Sequence, residues 1–300
     1  MTNKSGFLLI DKPAGPTSHD IVDRVRRLTG EHTVGHAGTL DPFATGLLIV
    51  GVGREATKHL STFLGLDKTY EAMFVFGASS DTDDRTGVIT SPSPHPSLAG
   101  GETQAGWETK KETRVPLPRG TSGGEPTTEQ IRAVLPQFIG QIEQVPPAFA
   151  AIKIKGQKMY VAARAGKPLA APPRKITVYE FSLLPELAFA PLLTKKGDGE
   201  VAVADEPHLT SPWKGGETRM TGLRSGNNVF RFRIHCSSGT YIRALARDLG
   251  KKLGTAAYVS ELRRTAIGPF PVSEAKTLDQ LASETVEHFL IPINLLQKFL

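Results

Sequence analysis

A single cysteine, Cys236, occurs in 300 residues, which excludes an intrachain disulfide and a cysteine-built metal site. Long apolar runs are missing too: Phe7 to Ile10 and Leu47 to Val50 fall far short of the roughly 20 residues that span a bilayer. From Met1 to Asp11 there is one lysine and four consecutive apolar residues, too few for a secretory leader, so a cytoplasmic protein is expected. The 30 glycines follow no period, which excludes a collagen-like chain. Charge of one sign is scarce, with 36 Lys+Arg against 30 Asp+Glu, and 39% of residues are hydrophobic. That composition describes a globular chain of one large or two ordinary domains, not a disordered polyelectrolyte.

The net charge of +6 is unevenly spread. Residues 127–183 carry eight Lys and Arg against three Asp and Glu, and residues 226–276 carry nine against three. The remainder is neutral or acidic. Such a bias suits a polyanion-binding face, because each neutralised phosphate releases counterions, and it equally suits basic side chains that merely solubilise exposed helices. Two stretches, 91–126 and 184–225, have linker composition: the first holds six Pro and six Gly, and Gly-Gly-Glu-Thr occurs in both, at 100–103 and 215–218. Both are expected to be low-complexity insertions, with an interaction loop around Trp107 or Trp213 as the alternative.

Outside them the chain patterns as strand runs mixed irregularly with amphipathic helices. Thr17-x-x-Asp20 forms a capping box before Ile21, Val22, Val25 and Leu28. Lys68 to Gly77 reads as a strand with Tyr70, Ala72, Phe74 and Phe76 on one face. Val229 to Cys236 places Phe230, Phe232, Ile234 and Cys236 inward and Arg231, Arg233 and His235 outward. Ile242, Leu245, Leu249 and Leu253 form a helical stripe that Gly254 closes. Without regular strand and helix alternation, the expected class is α+β.

The densest chemical candidate is Gly35-His36-Ala37-Gly38-Thr39-Leu40-Asp41-Pro42-Phe43-Ala44-Thr45-Gly46. Three glycines, a proline and one carboxylate describe a tight loop whose backbone approaches a ligand closely. On composition alone Asp41-Pro42 is as well read as a routine turn, and His36 as a hydrogen-bonded loop residue, since no second spaced His or Cys accompanies it.

That loop resembles the catalytic-aspartate motif of the TruB family of bacterial tRNA pseudouridine synthases. Further segments extend the resemblance: Gly6 to His19 with Lys12-Pro13, Lys68-Thr69-Tyr70-Glu71, the acidic turn Gly77 to Gly87, Gln144 to Lys153, and Cys236 to Arg243 with Leu262-Arg263-Arg264. It departs at Phe149-Ala150-Ala151, where the family usually has Tyr-Ser-Ala. The resemblance implies a mixed, mostly antiparallel sheet with flanking helices and a central RNA-binding cleft. It further implies a catalytic domain over 1–282 with a C-terminal tail or helix over 283–300; most bacterial members append a small C-terminal RNA-binding module, which this chain is expected to lack.

By the same resemblance, the activity is isomerisation of the T-loop uridine, position 55 of tRNA, with Asp41, Tyr70 and Arg243 catalytic and His36, Gly38, Thr39, Tyr241 and Leu262 contacting substrate. The reaction is redox-neutral and uses no cofactor and no metal. The expected partner is the T stem-loop of tRNA, with a monomeric protein, no protein partner and no membrane. Arg231, Arg233, Arg247, Lys251, Lys252, Arg263 and Arg264 are candidate phosphate contacts. Three competing readings are an RNA-binding or RNA-folding protein on the same scaffold, an enzyme guided to ribosomal RNA, and a glycosidase, which normally needs a second working carboxylate.

Overall fold

Among the described residues nine strands join one sheet: β1 (Gly6–Lys12), β2 (Val34–Ala37), β3 (Thr45–Val52), β4 (Lys68–Phe76), β5 (Gly140–Gln144), β6 (Arg174–Leu183), β7 (Val229–Cys236), β8 (Ala257–Ile267) and β9 (Phe270–Pro271). The computed structural model describes residues 5–90, 125–150, 152–154, 156–166, 169, 171–185, 228–283 and 285–296. The expected insertions, apart from 125–126 and 184–185, lie outside them.

Strand order is β1-β3-β8-β4-β7-β6-β5, with β2 paired to β3 and β9 to β8. Every pairing is antiparallel except β8 beside β3, which meet through Arg263–Thr45 and Arg264–Gly46. The α+β expectation of a mixed, mostly antiparallel sheet therefore holds.

The two apolar runs too short for a membrane are explained by this sheet. Phe7 to Ile10 lies in β1 and Leu47 to Val50 in β3, and both faces of these strands are covered. Leu8, Ile10, Leu48 and Val50 pack against Ile21, Val22 and Val25 of helix α1 (Ser18–Thr29). Phe7, Leu9, Leu47 and Ile49 face the other way, against Phe63 of a short helix at Leu60–Gly65 and Phe270 of β9. A strand buried on both sides has no polar face and reads as an unbroken hydrophobic run. The outer edge of β1 is capped by the C-terminal segment: Phe7 and Ile291 exchange backbone hydrogen bonds of 3.0 and 2.8 Å. That pairing removes an open edge. Among the described residues no helix is long and apolar enough to cross a membrane.

The larger core lies under β4, β7 and β8, where Phe74, Phe76, Phe232, Ile234, Val259 and Leu262 pack against Leu245 and Leu249 of helix α2 (Ile242–Lys252). Each such fully buried side chain contributes about 1.5–3 kcal/mol. Local signals act as read from the sequence. Thr17 and Asp20 close the capping box of α1, Gly30 ends that helix at φ 68°, and Gly254, at φ 73°, follows the last turn of α2.

One glycine is demanded by the sheet itself. Gly46 has φ 102°, and a Cβ there would collide with the Arg264 carbonyl and sit 2.8 Å from its amide nitrogen. Gly46→Ala is expected to lower the unfolding free energy by about 2 kcal/mol or more, read by urea denaturation. A change within experimental error would show that β3 and β8 can separate without loss.

Candidate active site

The opening motif of the chain builds the Asp41 loop. Lys12, at the end of β1 and fully buried, donates from Nζ to the carbonyls of Pro13, Pro42 and Ala44 at 2.9, 3.2 and 2.7 Å. Burial holds its pKa down at about 8, against an attraction to Asp41. Gly15 N–H donates to Pro42 O at 2.8 Å, and Ser18 Oγ accepts from Leu40 N–H at 2.9 Å while donating back to Leu40 O. Asp41 thus projects from a turn, closed by Ala44 N–H to Asp41 O at 3.0 Å, whose flanking carbonyls are clamped on both sides. The Asp-Pro turn is therefore present as read.

Arg243, near the start of α2, meets that carboxylate. Its Nε lies 2.9 Å from Asp41 Oδ2 and its Nη2 donates to Asp41 Oδ1 at 3.2 Å. The same guanidinium contacts Asp84 Oδ2 at 3.2 Å and donates to Thr82 O at 2.9 Å and Phe149 O at 3.4 Å. Only 4% of the arginine side chain and 5% of Asp84 are exposed, whereas a third of Asp41 remains open. One cation therefore serves two carboxylates, and the one with free surface is Asp41. Burial pushes the Asp41 carboxyl above its ordinary range, Arg243 pulls it back, and the Asp84 charge pushes it up again.

Asp84 received no role from the sequence, although its acidic turn was noted. It accepts from Thr82 Oγ1 at 2.8 Å and from Thr86 N–H at 2.8 Å, which fixes it facing Arg243. Asp83 beside it adopts φ 59° and pairs with Arg247 at 2.9 Å. Phe149 stands where the family usually has Tyr, and it supports Arg243 through its backbone carbonyl, a contact that needs no hydroxyl.

Tyr70 is buried on β4, within the electrostatic reach of Asp41 and Arg264. Burial raises its phenol pKa, against the nearby Arg264 charge, which lowers it. Leu262 packs in the same core as Leu40, Phe43 and Tyr70. Tyr241 is held by Gln144, whose Oε1 accepts from its N–H at 2.8 Å and whose Nε2 donates to its carbonyl at 3.0 Å, and Arg174 lies 5.1 Å over its ring. Gly38 and exposed Thr39 lead into the Asp41 turn. His36, half-buried on β2, is not brought to the carboxylate: burial, Arg264 and His19 hold its pKa down, and its buried Nδ1 meets no hydrogen-bond partner among the described residues.

The expected phosphate contacts need revision. Arg264 is 1% exposed and cannot reach a phosphate. Arg231 pairs with Glu71, Arg233 with Glu180 at 3.7 Å and Arg263 with Asp11 at 2.7 Å, so the outward face of β7 is not the bare cationic surface its alternation suggested. Lys251 and Lys252 are exposed on α2. Converting Arg231 and Arg233 together to Ala is expected to change the salt slope of RNA binding by less than about one unit. A change of about two units would show that both leave their carboxylates for phosphates.

Comparison with known proteins decides the family. The model described as TruB family pseudouridylate synthase (N terminal domain) matches residues 26–105 and 100–189, and that of the tRNA pseudouridylate synthase B C-terminal domain matches 243–296. The chain belongs to the TruB family. It is 38% identical over 285 residues to tRNA pseudouridine synthase B of Thermobifida fusca, covering 93% of this chain and 75% of that one. With the enzyme of the same name from Bifidobacterium longum it shares 39% over 288 residues, 91% of this chain but 65% of the relative's length. The chain thus spans just under two thirds of that relative. Its fold is similar to a chain of a Cbf5-Nop10-Gar1 complex, with TM-score 0.54 and 24% identity, covering 91% of this chain and 52% of that one.

Proposed function

We propose that this TruB-family chain is a tRNA pseudouridine synthase that isomerises the T-loop uridine, position 55, with Asp41 as the catalytic carboxylate. The observation that carries the proposal is the shared guanidinium: Arg243 is buried between Asp41 and Asp84, and only Asp41 offers an open surface to a substrate. A protein that only binds RNA has no use for a carboxylate held this way, because it would repel phosphate.

The isomerisation breaks the N1–C1′ bond of uridine, turns the detached uracil and forms a C5–C1′ bond. The proton on C5 leaves and N1 gains one, so atoms and electrons balance without a co-reactant. Asp41 acts at the sugar or base carbons as nucleophile or base, and Arg243 keeps it ionised where burial would otherwise protonate it. Tyr70 and Leu262 wall the site, Tyr70 offering its ring to the uracil and its hydroxyl to the proton at C5. Reaching them requires the target nucleotide to leave its stack. His36, Gly38, Thr39 and Tyr241 contribute to holding the opened loop. The proposed unit is a cytoplasmic monomer acting on the T stem-loop, with a catalytic domain over 1–282 that carries the two low-complexity insertions.

The test is release of tritium from a T stem-loop RNA labelled at uridine C5. Release at the T-loop position supports the reading. Tight RNA binding with no release would instead support the scaffold-only reading, an RNA-folding protein.

A further inference from the structure

Among the described residues Arg264 is the largest fully buried side chain, and it has no carboxylate partner there. A buried cation without a counter-ion is costly, so the groups that satisfy it are informative. Its Nε donates to Leu47 O at 2.8 Å and its Nη2 to Gly38 O at 3.1 Å. Its backbone pairs with Gly46 on one side, in the parallel contact of β8 with β3, and with Tyr70 on the other. Its Nη1 lies 3.6 Å from where a Gly38 Cβ would stand. Tyr70 stands directly across the β4–β8 pair from it, so the two side chains share one face of the sheet, and the guanidinium charge acts on the phenol.

One guanidinium thus ties both ends of the loop that carries Asp41, at Gly38 and at Leu47, and shares a sheet face with Tyr70. Resting on the reading above, we propose that Arg264 is a positioning residue, which sets the Tyr70 hydroxyl relative to the Asp41 loop for removal of the C5 proton. The fork geometry matters here. A guanidinium spreads its donors in one plane over a wider span than a lysine ammonium, so it can bridge the Gly38 and Leu47 carbonyls and still present an N–H toward Tyr70. A cation beside the phenol also stabilises negative charge developing on its oxygen. Arg264 itself does not touch substrate.

The decisive measurement is a double-mutant cycle on single-turnover tritium release, with RNA binding and thermal unfolding followed in parallel. Arg264→Gln and Tyr70→Phe are each expected to slow release by about 100-fold while RNA affinity changes by less than about threefold. In the Tyr70→Phe background, Arg264→Gln is expected to cost less than about tenfold further, because the hydroxyl it positions is already gone. Multiplying penalties would overturn the proposal, as would unaltered release by Arg264→Gln. If Arg264→Gln fails to fold, Arg264→Lys carries the same cycle, and failure of both to fold overturns the proposal in favour of a purely structural cross-link. No release by the wild type would instead sink the isomerase reading and is distinguishable from all of these.

Discussion

Replacing Asp41 by Asn is expected to abolish tritium release, lowering the rate by about 10³-fold or more, while leaving RNA binding and folding nearly intact. The amide is isosteric but can neither attack carbon nor accept a proton. Folding survives because Arg243 keeps Asp84, the Thr82 carbonyl and the Phe149 carbonyl when Asp41 is neutralised. The native carboxyl is also held above its ordinary pKa by burial, so its charge costs stability at neutral pH. A group with a raised folded pKa stabilises only below its unfolded value and loses that contribution as pH rises. The unfolding free energy should therefore shift by less than about 1 kcal/mol in Asp41→Asn, checked by urea denaturation at pH 7. Release by the variant equal to the wild type would remove Asp41 as the catalytic residue.

Arg243→Met is expected to combine both kinds of damage. It strands two carboxylates, one of them almost fully buried, and breaking a buried pair of this kind costs about 3–5 kcal/mol. Because Asp41 is a third open to water, the lower end of that range is expected. The rate should fall by about 10³-fold at neutral pH. The sign of the pH dependence follows from the site: burial raises the Asp41 pKa and Arg243 lowers it, so removing Arg243 raises it further. The acid limb of the single-turnover rate profile then moves to higher pH, and part of the lost rate returns as pH increases. Arg243→Lys keeps a charge but cannot hold two carboxylates and two carbonyls, so it should recover stability more than rate. An acid limb that stays in place in Arg243→Met would show that Asp41 is not ionised through this arginine.

Arg243 and Arg264 show how differently two arginines of one motif set behave. In the sequence they look alike, lying in a basic segment beside other Lys and Arg, and Arg264 reads as a phosphate contact. The structure buries both, one against two carboxylates and the other against two backbone carbonyls. The same holds for the outward face of β7, where Glu71 of β4 and Glu180 of β6 neutralise the stripe that alternation predicted.

What the sequence by itself determined was everything set by neighbours along the chain. The capping box of α1, the alternation of β4 and β7, the helical stripe ended by Gly254 and the turn at Asp41-Pro42 all depend on residues a few positions apart, and all appear as read. The motif order was also enough to place Asp41, Tyr70 and Arg243 in one resemblance. What only the tertiary structure decided was which charges meet. Asp41 and Arg243 are 202 positions apart, and Asp84 completes their group from a third segment. Burial and pairing energies arise from contacts that the sheet creates when β8 inserts between β3 and β4. A linear pattern records that a side chain is cationic. Whether it faces a phosphate, a carboxylate or a carbonyl is settled only once distant strands have paired.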